Sequence, residues 1–162
     1  MYRIDNIFTN KERKDFIKKS KPLLLSVEEM NRRWGNLGKF PGKQTEQNLC
    51  GRKEFEFEHY TIVNKVEKIY GRNVAVFRSW VNWTNGSKKD ICWHHHALAD
   101  VTLVYYMKTP LPFFSNGTLF RDKFVEVPQN GLLVFSPDLE HTAPSSPFRF
   151  DRYTFAMEMV WR

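Results

Sequence analysis

The residues in this chain best suited to chemistry are its histidines. Of five, three are consecutive, His94-His95-His96, and a fourth, His141, lies further along. In an extended strand alternate side chains share a face, so His94 and His96 point one way and His95 the other. Such a pair, with a third ligand from a neighbouring strand, makes a facial metal site. Neutral imidazoles suit iron, zinc, copper or nickel, and an open face suits catalysis better than structure. The bland alternative is a polar strand end whose histidines are simply solvated. A second pair, Arg152 and Thr154, alternates onto one face of the last apolar segment. A guanidinium beside a hydroxyl is a good receptor for a carboxylate, because the fork takes two oxygens and the hydroxyl donates a further bond. The competing role for Arg152 is a surface ion pair with Asp151 or Asp138.

The elements that must position these groups are short and β-rich. Segments 73–82, 101–107, 117–121, 124–127, 132–136 and 153–161 are dense in Val, Phe, Tyr and Trp. Asn85-Gly86, Pro110, Asn116-Gly117, Pro128, Asn130-Gly131 and Pro137 separate them. Strands at such intervals without intervening helices read as a β-sandwich or barrel. His141 follows one of them after Phe135-Ser136-Pro137, which places its imidazole at a barrel mouth. The first seventy residues read as helix and connector. Thr9 with Glu12, and Ser26 with Glu29, are capping boxes opening two short helices. Helical spacing runs from Glu54 to Tyr70, with Gly71 as its cap. Residues 35–51, with four glycines and a proline, read as a long loop and a candidate lid, as do residues 84–92.

Composition sets the outer limits. At 162 residues the chain fits one domain, residues 1–162, with a helical part to about residue 71 packing on a β core from about 73. Hydrophobic residues at 41% and charged residues at 27% exclude a disordered chain. Aromatics at 15% favour strands. No apolar run approaches the ~20 residues that cross a bilayer, and the first residues lack a signal-peptide core. A cytoplasmic protein without membrane association is expected. Two cysteines and no CxxC pair argue for reduced thiols and against a zinc ribbon. The net charge of +7 raises affinity for polyanions and acidic partners, with Lys11, Arg13, Lys14, Lys18, Lys19 and Lys21 crowding the first helix.

Taken in order, His94-His95-His96, Val104-Tyr105-Tyr106-Met107, Gly117-Thr118-Leu119-Phe120, Pro128–Pro137, His141 and Arg152-Tyr153-Thr154 resemble the Fe(II)/2-oxoglutarate-dependent oxygenases. The likeness covers about residues 73–161 and is greatest to the short prolyl-4-hydroxylase-type members of phages and bacteria. It implies a mainly β, α+β chain folded as a double-stranded β-helix, or jelly roll, with N-terminal helices. It implies Fe(II) as cofactor, 2-oxoglutarate as cosubstrate and ascorbate as an optional reductant. His94 and His141 would be metal ligands. Arg152, Thr154 (where the family usually has Ser) and Tyr106 would hold the far carboxylate of 2-oxoglutarate, and Trp80 and Asn82 would line the substrate pocket. The implied reaction is hydroxylation of a C–H bond, with a prolyl residue of a peptide or protein as substrate and succinate and CO2 released. A phage-encoded member would work in the host cytoplasm.

One position departs from the family pattern. The second ligand is normally Asp or Glu two residues after the first His, and here it is His96. Asp100, four residues on, is an alternative ligand or an orienting group, and His95 is a third choice. Trp83 and Trp93 are candidates to stack on a proline ring or a base. Two other readings stay open: a cupin-type metalloenzyme independent of 2-oxoglutarate, and a basic β-sandwich that binds nucleic acid. The charge suits an acidic peptide or a nucleic-acid-associated protein as partner.

Overall fold

The computed structural model describes residues 1–35, 42–86, 93–109, 116–144 and 149–162. Three helices, α1 (Asn10–Ser20), α2 (Val27–Trp34) and α3 (Glu56–Tyr70), lie in the first seventy residues. Around and after them run strands β1 (Tyr2–Ile4), β2 (Leu25–Ser26), β3 (Lys43–Gln44), β4 (Val74–Asn85), β5 (Val101–Lys108) and β6 (Gly117–Phe120). The chain continues through β7 (Phe124–Glu126), β8 (Leu132–Phe135), β9 (His141–Thr142) and β10 (Asp151–Trp161).

Both capping boxes form. Thr9 and Ser26 accept from the backbone N–H of Glu12 and Glu29, whose carboxylates accept from the cap N–H in return. This satisfies two of the donors that every helix start leaves open. α3 ends at Gly71 in the left-handed conformation, and a single 3-10 turn over Lys53–Phe55 leads into it.

The strands make two antiparallel sheets, a seven-stranded one in the order β1-β8-β5-β10-β4-β3-β2 and a three-stranded one in the order β7-β6-β9. β10 is central to the larger sheet, paired with β4 along its length and with β5 from Tyr153 to Met159. Its alternation sorts the molecule into two layers. Tyr153, Phe155, Met157 and Met159 join Val101, Leu103, Tyr105 and Met107 of β5 against Phe16 and Ile17 of α1 and Ile62 and Val66 of α3. The opposite face of β5 and β8 turns Tyr106, Leu133 and Phe135 onto Phe120 and Val127, closing a smaller core between the sheets. This is the jelly-roll arrangement, with the helices covering the outer face of the larger sheet.

Residues 35–51 are not one loop. Residues 36–41 lie outside the described residues, and from Gly42 the chain is tied to the sheet. Lys43 and Gln44 pair with Trp83 and Asn82, Thr45 N–H donates to the Val81 carbonyl, and Leu49 is buried. That attachment removes residues 43–51 as a lid. The second candidate lid also changes: Thr84 and Asn85 continue β4, and residues 87–92 lie outside the described residues.

Candidate functional site: a three-histidine cluster at the mouth of the sheets

The three histidines of the H-x-H-plus-distant-His pattern come together. His94 is not in a continuous strand. It forms an isolated antiparallel bridge to His141, each N–H donating to the other's carbonyl at 3.1 and 2.9 Å. His141 belongs to β9, which pairs with Phe120 of β6, so the bridge extends the smaller sheet by one residue pair. His96 is fixed by its N–H donating to the Pro137 carbonyl. Ring centroids are 5.1 Å apart for His94–His96, 4.4 Å for His94–His141 and 5.1 Å for His96–His141. One nitrogen from each ring lies within 4.8 Å of the other two. Imidazole nitrogens bound at about 2.1 Å stand about 3.0–3.4 Å apart in a facial or tetrahedral arrangement around one ion, so the three rings would draw together by up to about 1.8 Å on binding a metal.

Hydrogen bonds set the ring orientations. His141 Nδ1 lies 2.8 Å from the Leu139 carbonyl, which can only accept, so Nδ1 carries the proton and Nε2 the lone pair. Burial holds His141 down to about 3, and the neighbouring imidazoles add to the effect. The ring is therefore neutral, the form that ligates metals. Phe135 packs against it at 4.8 Å and Phe120 at 6.0 Å. His96 Nδ1 is 2.6 Å from Glu158 Oε1, which leaves its Nε2 for the cluster. His141 is buried, His96 partly buried and His94 exposed, so the cluster opens to solvent on the His94 side.

The other candidates for the second ligand are placed elsewhere. Asp100 accepts from the Trp161 N–H at 2.8 Å, and its own N–H donates to Met159, so it anchors the end of β10. His95 is exposed and outside the cluster. Sequence reasoning overlooked Glu158. The available signal was an isolated carboxylate inside an apolar strand, Ala156-Met157-Glu158-Met159-Val160, on the same face as Arg152 and Thr154.

Further along that face lies the second group. Thr154 pairs across the sheet with Tyr106 on one side and Asn82 on the other. Arg152 is buried, its guanidinium 5.5 Å from the Tyr106 ring centroid and donating to the Gly117 carbonyl at 3.0 Å. No carboxylate pairs with it among the described residues, and its Nε has no hydrogen-bond partner. The surface-pair role therefore fails: Asp151 is bound instead by Trp83 Nε1, Asn85 and Lys108, and Asp138 makes no ion pair to Arg152. Burial pushes the Arg152 guanidinium below its ordinary value, with Tyr106 opposing the shift. Burial likewise raises the Tyr106 phenol, whose hydroxyl is hydrogen-bonded to Thr118.

Trp80 and Asn82 line the same inter-sheet face of β4, and the Trp80 ring lies 6.1 Å from His96. Trp83 does not. It alternates to the helix side, packs against the main core and donates to Asp151, which removes it as a stacking platform. Trp93 stands beside His94 with the Arg121 guanidinium 4.2 Å above its ring.

No family model and no curated protein sequence matches the chain. Solved structures do. The viral collagen prolyl hydroxylase of Paramecium Bursaria Chlorella virus-1, in complex with 2-oxoglutarate, superposes with a TM-score of 0.69 at 11% identity, over 98% of this chain and 94% of that one. HygX of Streptomyces hygroscopicus, with nickel, 2-oxoglutarate and hygromycin B bound, gives 0.71 at 10% identity, over 98% and 81%. A prolyl hydroxylase of Trichoplax adhaerens, in complex with a hypoxia-inducible-factor peptide fragment, gives 0.67 at 12% identity, over 98% and 82%. At these identities the likeness is one of fold. The jelly roll built around β10, with helices on its outer face, is the fold this chain shares with those three structures.

Proposed function

We propose that the protein is an Fe(II)- and 2-oxoglutarate-dependent dioxygenase that hydroxylates a C–H bond. His94, His96 and His141 hold the metal. Arg152, Thr154 and Tyr106 hold the distal carboxylate of 2-oxoglutarate, and Trp80 and Asn82 border the substrate. The observation that carries this reading is a buried guanidinium, with no carboxylate partner among the described residues, on the same inter-sheet face as three clustered imidazoles. A buried, uncompensated charge is costly, so a site that keeps one is built for an anion that arrives from outside. The donor set also fits: neutral nitrogens suit a first-row divalent ion, and the fork with its adjacent hydroxyls suits a carboxylate.

When bound, Fe(II) supplies the redox chemistry that couples O2 to oxidative decarboxylation of 2-oxoglutarate. One oxygen atom then ends in succinate and the other in the hydroxylated substrate, with CO2 released. The chain's own residues do the placing. Arg152 fixes the far end of the cosubstrate, which aims its oxo-acid end toward the histidines. The Leu139 carbonyl and Glu158 hold two ligand imidazoles in the tautomer that presents Nε2. Phe120 and Phe135 keep water from the buried side of His141.

A prolyl residue in a peptide or protein is the substrate we favour, on the likeness to the viral and Trichoplax prolyl hydroxylases. The HygX structure carries bound hygromycin B, so the fold also accommodates a non-peptide molecule. The test is aerobic turnover with Fe(II), 2-oxoglutarate and ascorbate, reading succinate by mass spectrometry with and without proline-containing peptides. We expect succinate from the wild-type protein and a peptide-dependent increase with one oxygen atom added to the peptide. Arg152→Ala should weaken 2-oxoglutarate binding by roughly ten- to hundred-fold, the loss of charge-assisted hydrogen bonds, and leave metal affinity nearly unchanged. Equal loss of both would assign Arg152 to folding.

A further inference from the structure

Among the described residues the cluster contains no carboxylate ligand, yet one carboxylate is in direct contact with it. Glu158 is 1% exposed and sits on β10, cross-strand from Arg78 on β4 and Thr102 on β5. Its two oxygens face different partners. Oε1 accepts from His96 Nδ1 at 2.6 Å, and Oε2 accepts from Arg78 through Nη2 at 2.6 Å and Nε at 2.9 Å. Arg78 is about a third exposed, so solvent screens its charge, while Oε1 meets His96 inside the protein.

We infer that Glu158 is a positioning residue for the metal centre, supplying through the His96 imidazole the negative charge that no carboxylate ligand provides. The inference rests on the three-histidine metal reading above. Arg78 clamps Oε2, which leaves Oε1 aimed at Nδ1 and fixes the ring so that Nε2 faces His94 and His141. A carboxylate accepting from the far nitrogen makes an imidazole a more basic ligand, and removing such a partner typically costs metal affinity roughly 10–100-fold.

The test uses Co(II) alone, whose ligand-field spectrum reports the number and type of ligands. Glu158→Gln keeps the shape and removes the charge. We expect its Co(II) affinity to fall roughly 10–100-fold with the ligand-field bands unchanged and the metal-free melting temperature recorded separately. In a His96→Ala background the same substitution should cause no further loss. Unchanged affinity in Glu158→Gln, or an equal loss with and without His96, overturns the inference. Altered ligand-field bands overturn it in another way, because Glu158 would then be a direct ligand. Should Glu158→Gln fail to fold, imidazole NMR of the zinc-loaded wild-type protein decides. A strongly deshielded His96 Nδ1 proton supports the inference, and its absence overturns it. Wild-type protein that takes up no Co(II) overturns the metal centre itself, whereas uptake indifferent to Glu158 overturns only this inference.

Discussion

His94 and His95 are adjacent in sequence and differ in everything that matters for chemistry. His94 is bridged to His141 by two backbone hydrogen bonds, and its ring meets His96 and His141, while His95 is turned to solvent. We expect His94→Ala, His96→Ala and His141→Ala each to weaken Co(II) binding far more than His95→Ala, which should leave it within a few-fold of wild type. Isothermal titration checks this, and the reverse pattern would shift the register of residues 94–96 by one. Buried histidines also set an acid limit. His141 is held down to about 3 and His59, enclosed between the Phe55 carbonyl and Ser79, is also lowered, in both cases by burial. Unfolding exposes both at ordinary values near 6.5, so below that pH the unfolded chain binds protons that the folded chain does not. Stability of the metal-free protein should therefore be level above pH 7 and fall as pH drops from about 6.5 toward 5, measured as the urea midpoint. A midpoint that rises over that interval would contradict the burial of these rings.

At the scale of elements, legibility follows the range of the forces involved. The capping boxes at Thr9 and Ser26 are local and could be read directly, as could α3 with its Gly71 stop. Strands β4, β5, β8 and β10 were legible because their apolar residues bury on one or both faces. Strands β1, β2, β3 and β9 were not. Each is two or three residues long and exists only because a distant partner supplies its hydrogen bonds, as Leu132–Val134 do for Tyr2–Ile4. The H-x-H pair was found by assuming an extended strand, whereas its actual support is a bridge to His141 and a bond to Pro137, both non-local. Glu158 was missed for a related reason: an apolar strand reads as core until the partner of its one carboxylate is known. Gly117 on β6 couples an element to the site. A Cβ there would meet the Val125 carbonyl oxygen at 2.0 Å, and the Gly117 carbonyl receives Arg152 at 3.0 Å. Gly117→Ala must displace β6 from β7. We expect it to weaken 2-oxoglutarate binding while Co(II) affinity changes little, since the histidines are held by β9 and Pro137. Equal losses of both ligands would show that the smaller sheet moves as one piece.

At the scale of the whole molecule, the fold separates two surfaces that the sequence presents together as one positive charge. Exposed Lys11, Lys14, Lys18 and Lys21 lie on or just after α1, whose Phe16 and Ile17 pack on the outer face of the larger sheet. The clustered His94, His96 and His141 lie on the other side of that sheet. A polyanion attracted by those lysines would therefore sit away from the mouth. No helix among the described residues is long and apolar enough to cross a membrane. The candidate site is concentrated on one face of β10, where Glu158 meets His96 at one end and Arg152 stands buried at the other. The most direct test of the account is anaerobic titration of metal-free protein with Fe(II) and then 2-oxoglutarate, following the visible absorption. A weak charge-transfer band that appears only with both present, and that Arg152→Ala shifts to higher 2-oxoglutarate concentration, is the predicted result. Iron uptake with no band and no thermal stabilisation by 2-oxoglutarate would contradict it and leave a metalloprotein of another kind.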